Sequence, residues 1–123
     1  MTTAYWMILA AGLLPYWPTV ASKWRRDYSN AAPRAGVDKL APRNQRAYWA
    51  QLNAFEAFPL FAAAVIIAHL ARADQPWIDG LAMAFVGFRI LYTLAYIYDR
   101  PGLRSLLWSG GLLCVIGLFV VAA

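Results

Sequence analysis

Apolar residues fill four blocks of the chain, about 4–21, 46–71, 77–98 and 103–122, and polar or turn-forming residues separate them. Each block has the ~18 to 25 residues that an α-helix needs to cross the hydrocarbon core of a bilayer. The first carries no charge, and Pro15 and Pro18 are expected to kink it or end it early. Pro42, suited to the first turn of a helix, precedes the second, so its leading turns with Arg43 and Arg46 are expected to project into water. The pattern predicts an all-α membrane protein, a single domain over 1–123, with four transmembrane helices in an up-and-down bundle.

The few polar positions inside these blocks fall on shared faces. In the second, Arg46, Asn53 and Glu56 are separated by nearly two turns and just under one turn. Asn53 and Glu56 lie roughly 10 and 15 Å along the axis from Arg46, within the bilayer. A charge at that depth costs roughly 2.5 to 3.5 kcal/mol on insertion scales, so the stripe must face protein or a wet cavity. In the third block Arg89, Tyr92, Tyr96 and Arg100 recur at three or four residues, and Arg104 and Ser105 open the fourth. These side chains supply several cations, neutral hydrogen-bonding groups and one carboxylate. They suit a small, polar, net anionic ligand with an amine or amide for Glu56, such as a peptide-like molecule with carboxylates at both ends. The bilayer offers a second, apolar reactant.

Composition narrows the alternatives. The 123 residues are 62% hydrophobic and 14% charged, far from a soluble domain. One cysteine, Cys114, and one histidine, His69, are too few for a disulfide or for a metal cluster, and no metal is expected. The net charge of +5 does not mark nucleic-acid binding, because seven of eleven Lys and Arg residues fall between Lys23 and Arg46, mostly in the segment 22–45. That clustering predicts basic cytoplasmic loops with both termini outside. The first block lacks a basic leader and a cleavage site and reads as a retained span, which with the short chain suggests a bacterial inner membrane. Tyr5, Trp6, Trp17, Trp24, Trp49, Trp77 and Trp108 read as an aromatic belt, and the pairs Gly80/Ala84 and Ala64/Ala68 as points of close helix contact.

Three motifs in order, N-x-x-E-x-F-P-L-F from Asn53, R-x-x-Y-x-x-x-Y from Arg89 and R-x-x-x-R-S from Arg100, resemble the membrane-associated proteins in eicosanoid and glutathione metabolism. The resemblance implies four-helix subunits assembled as homotrimers, with glutathione as co-substrate in a polar cleft between neighbours. It implies that Arg46, Gln51, Asn53, Glu56, Arg89, Tyr92, Tyr96 and Arg100 hold glutathione, Glu56 taking its amino group. Arg104 then stabilises the thiolate, beside Ser105, in transfer to a hydrophobic small molecule. Trp49 stands one turn before the asparagine where many members have arginine, and Ala57 follows the glutamate where members often have Asn or Tyr.

Two other readings remain open. One is a non-catalytic lipid-binding or scaffold member of the same family. The other is a small four-helix proton-coupled drug exporter, although such exporters resemble this chain in size and carry their carboxylate in the first span, where this chain has none.

Overall fold

The computed structural model describes residues 1–23, 30–32 and 40–123. Five helices appear among them: α1 (Thr3–Leu13), α2 (Tyr16–Lys23), α3 (Pro42–Leu70), α4 (Gln75–Ile97) and α5 (Pro101–Ala122). Of the basic segment expected at 22–45, Trp24, Arg25, Arg26, Pro33, Arg34, Gly36 and Lys39 lie outside the described residues.

The last three apolar blocks are continuous helices. α3, α4 and α5 are long and apolar enough to cross a membrane. At 1.5 Å per residue they run about 44, 35 and 33 Å, against a hydrocarbon core of about 30 Å. Each begins with proline at its first or second position, where the missing N–H costs nothing. The first block differs from the single span expected at 4–21, because it is broken into α1 and α2. Pro15 and Pro18 have no N–H to return to Ala11 and Leu14, so the helical ladder fails at that point. Just after the break the Pro15 carbonyl accepts from both the amide and the hydroxyl of Thr19, at 3.2 and 2.8 Å, which ties the start of α2 together. Both prolines are fully buried, so the break is packed into the bundle.

The turns after α3 and α4 use the same device. Arg72 and Asp99 adopt left-handed backbone, with φ of 58° and 57°. In each turn the next amide reaches back five residues, Ala73 to the Ala68 carbonyl at 3.0 Å and Arg100 to the Ala95 carbonyl at 2.8 Å. The left-handed residues themselves close a shorter loop, Arg72 to His69 at 3.0 Å and Asp99 to Tyr96 at 3.2 Å. These paired bonds satisfy the carbonyls that a helix end leaves free and turn the chain within a few residues. α3, α4 and α5 therefore run up, down and up.

The core is built from small residues. Ala4 and Ala11 of α1, Ala64 and Ala68 of α3, and Ala82 of α4 are buried with Phe61, Ile78, Phe85 and Leu118. The Phe61 and Phe85 rings stack at 4.0 Å between α3 and α4. Ala64 and Ala68 make the close approach that their spacing predicts, whereas Gly80 and Ala84 face outward. The most extensive pairing is α4 with α5. A methyl group on Gly110 would lie 2.7 Å from the Phe88 ring, so only glycine admits that ring. Gly110→Ala is expected to lower stability by about 1 to 3 kcal/mol through overpacking, read as an earlier thermal transition in detergent and partly restored by adding Phe88→Leu. An unchanged transition would show that the Phe88 ring moves aside freely.

At one end of the bundle a polar cluster fastens α1. The Asp79 carboxylate accepts from the Ala4 amide at 2.8 Å and from the Gln75 side chain at 2.9 Å. His69 donates through Nδ1 to the Val65 carbonyl at 2.7 Å, which leaves Nε2 to accept from the Thr2 hydroxyl at 2.9 Å. Tyr5 stacks on the His69 ring at 4.0 Å.

Candidate functional site

The site lies in the other half of the bundle, between α3, α4 and the start of α5. Asn53 and Glu56 are one turn apart on α3, and the Asn53 amide donates to the Glu56 carboxylate at 3.4 Å. Arg89, the one buried charged residue among the described residues, donates from Nη2 to Asn53 Oδ1 at 2.7 Å. Asn53 thus relays between cation and carboxylate, its carbonyl facing Arg89 and its amide facing Glu56. A simple Arg89–Glu56 ion pair locking the two helices is not what the structure holds. Glu56 itself is exposed on the surface of the single chain.

Two guanidinium groups sit on tyrosine rings. Arg89 lies 4.1 Å from the centroid of Tyr92, and Arg104 lies 4.5 Å from that of Tyr96. The two tyrosines meet edge to face at 5.8 Å. Such contacts hold a cation in place through the negative face of the ring, by ~2 kcal/mol or more when desolvated. The arrangement brings together residues from three helices: Asn53 and Glu56, Arg89 with its tyrosines, and Arg104 from the first turn of α5.

Two clefts share this group. One of about 400 Å³ is lined by Trp49, Leu52, Asn53, Glu56, Tyr92 and Tyr96. The other, of about 340 Å³, also takes in Asn53 and Glu56 and then runs along apolar wall, with Leu60, Phe85, Leu112 and Val115. Its far side reaches Arg89 and Trp108. Gly111 forms part of its floor, since a methyl group there would lie 3.7 Å from Arg89 and 3.8 Å from Phe85. One cleft is polar and aromatic, the other mostly apolar, and Glu56 stands between them.

Other residues expected in the site lie elsewhere. Arg46 points away from Glu56 and donates from Nε to the Ile97 carbonyl at 3.0 Å, capping the end of α4. Gln51 is half-buried on α3 and lines neither cleft. Arg100 is exposed at the turn before α5, where its carbonyl accepts from the Arg104 amide at 2.9 Å. Ser105 is exposed, and its carbonyl accepts from the Ser109 hydroxyl at 2.9 Å.

Trp49 and Trp108, expected in the aromatic belt, both line clefts. Trp49 approaches Tyr96 with ring centroids 6.5 Å apart. The usable signal was spacing, because Trp49 lies one turn before Asn53 and Trp108 one turn after Arg104.

Among curated proteins none matches the chain. The profile of the MAPEG family matches residues 3–123, essentially its whole length. With three membrane-length helices, and with Asn53, Glu56, Arg89, Tyr92, Tyr96 and Arg104 brought together from α3, α4 and α5, the chain is an integral membrane protein and belongs to the MAPEG family, whose members work in glutathione and eicosanoid metabolism.

Proposed function

We propose that this protein is a membrane glutathione transferase or peroxidase that activates the glutathione thiol and presents it to hydrophobic electrophiles. The observation that carries the reading is the polar cleft itself. Asn53, Glu56, Tyr92 and Tyr96 line one cavity, and the guanidinium groups of Arg89 and Arg104 are held against its two tyrosines. Glu56 offers the carboxylate that an α-amino group needs. The tyrosine hydroxyls and nearby cations offer donors for carboxylate and peptide oxygens.

Arg104 is the thiolate-stabilising residue of this proposal. A thiol reacts as its thiolate, and a fixed guanidinium beside sulfur raises the ionised fraction at neutral pH. Arginine serves because it stays charged under partial desolvation. The adjoining apolar cleft along Leu60, Phe85, Leu112 and Val115 then receives the second substrate from the bilayer. Sulfur attacks the electrophilic carbon, or in the peroxidase reaction a peroxide oxygen, and the leaving group departs with the electron pair.

The same reading includes a homotrimer in which α1 and α2 together form the fourth span. Glu56 and the polar cleft lie open on the face of a single chain at membrane depth, where lipid satisfies neither charge nor hydrogen bond. A neighbouring copy closes that face.

One feature favours the non-catalytic alternative. Trp49 puts an aromatic ring one turn before Asn53, where many members have a cation. Measurement separates the two. Adding glutathione to the detergent-purified protein is expected to give a saturable thiolate absorbance at neutral pH. Glu56→Gln should weaken glutathione binding about tenfold or more, as loss of one partner in a close charge pair does, measured by titration calorimetry. No thiolate signal at millimolar glutathione would favour the scaffold reading. Unchanged affinity in Glu56→Gln would move the amino group to another partner.

A further inference from the structure

We propose that the cleft where α2, the start of α3 and the end of α4 meet is a binding site for an anionic phospholipid, separate from the thiol site. It has a volume of about 420 Å³ and shares no lining residue with the other two clefts. The volume suits a phosphoglycerol headgroup and the first carbons of one acyl chain, with the remaining chain left in the bilayer.

The lining is graded in the way a phospholipid is. Val20, Ala47 and Leu94 form an apolar wall. Trp17 and Tyr98, rings with an apolar body and a polar tip, stand beside it. The charge is Arg43, in the first turn of α3, whose guanidinium lies 5.6 Å from the centroid of the Tyr98 ring. Cation and aromatic side chains between helices, where they leave the bilayer, form the usual receptor for an acidic headgroup.

Arg46 removes what would oppose an anion there. The cleft takes in Ile97, at the end of α4, where helix carbonyls concentrate negative charge. Arg46 donates to the Ile97 carbonyl at 3.0 Å and so neutralises that end. Arg46, expected from the sequence to hold glutathione, therefore serves this cleft as a positioning residue. A free phosphate would use Arg43 but not the apolar wall, and the wall favours the lipid.

Native mass spectrometry of the detergent-purified protein, with phosphatidylglycerol or phosphatidylcholine added, tests the assignment. Phosphatidylglycerol should remain bound at about one molecule per chain, and phosphatidylcholine should be lost. Arg43→Gln, an exposed position, should cut phosphatidylglycerol retention about fivefold without shifting the thermal transition. Val20→Trp, which fills the apolar wall, should cut it as well. Equal retention of the two lipids, indifference to both substitutions, or displacement by millimolar inorganic phosphate would each overturn the proposal. Neither substitution touches the polar cleft, so a glutathione thiolate signal should persist in both variants. Its absence from the unsubstituted protein would count against the proposed activity and leave the lipid site standing.

Discussion

Arg104→Ala is expected to abolish the thiolate absorbance at neutral pH and to lower kcat/KM for conjugation by about 10²-fold, the scale seen when one donor to a developing anion is removed. A free cysteine thiol titrates near 8.5, so each unit by which a neighbouring cation lowers that value raises the thiolate fraction about tenfold at pH below it. The variant should therefore regain rate as pH rises. Its kcat/KM should climb about tenfold per pH unit from 6 to 8, while the unsubstituted protein is nearly flat. Glutathione affinity should change little, because the amino and carboxylate contacts proposed above are assigned to other residues of the cleft. Arg104→Lys should recover only part of the rate, since an ammonium lacks the flat guanidinium face that rests on Tyr96. A pH profile unchanged in Arg104→Ala would assign thiol activation to a different residue.

Arg89→Ala should have the largest effect on stability. Arg89 as a residue is 3% exposed, and its guanidinium is bonded to Asn53 and lies on the Tyr92 ring. Hydrogen bonds to buried charges contribute about 1.5 to 3 kcal/mol, and the ring contact adds to that. A loss of about 3 kcal/mol or more is expected, seen as a lowered thermal transition in detergent. Replacing both partners, Arg89→Met with Asn53→Leu, should restore much of the stability, because apolar groups then fill the space without an orphaned donor or acceptor. Glutathione binding should not return, since Glu56 would have lost the amide that orients it. If Arg89→Ala melts like the parent, the Arg89–Asn53 bond contributes nothing to holding α3 against α4.

The sequence revealed each part of the molecule as far as local spacing governs it. The ends of α3, α4 and α5 fall within a few residues of the apolar block limits at 46–71, 77–98 and 103–122, because a long, mostly apolar run in lipid leaves the backbone no alternative to a helix. The first block was harder. Its composition is as apolar as the rest, but two prolines three residues apart decide its backbone, and hydropathy does not register a missing N–H. Asn53 with Glu56, and Tyr92 with Tyr96, were legible because one turn separates each pair. Arg46 was not. Its partner is a backbone carbonyl on another helix, and no residue type announces a free carbonyl. The seating of Arg104 on Tyr96 was equally hidden, because it depends on the register between α4 and α5, which the tight turn at Asp99 sets.

The fastening of α1 has a consequence for biosynthesis. The first helix in the chain is secured by Asp79 and His69, 75 and 67 residues beyond their respective partners, Ala4 and Thr2. Both bonds together cannot form until α3 is in place and Asp79, just past the first turn of α4, has left the ribosome. α1 is thus fully locked only after the whole of α3 has been made. Until Asp79 emerges, α1 is held only by its packing on α3 and by the Thr2–His69 contact, and the Ala4 amide has no carboxylate to bind.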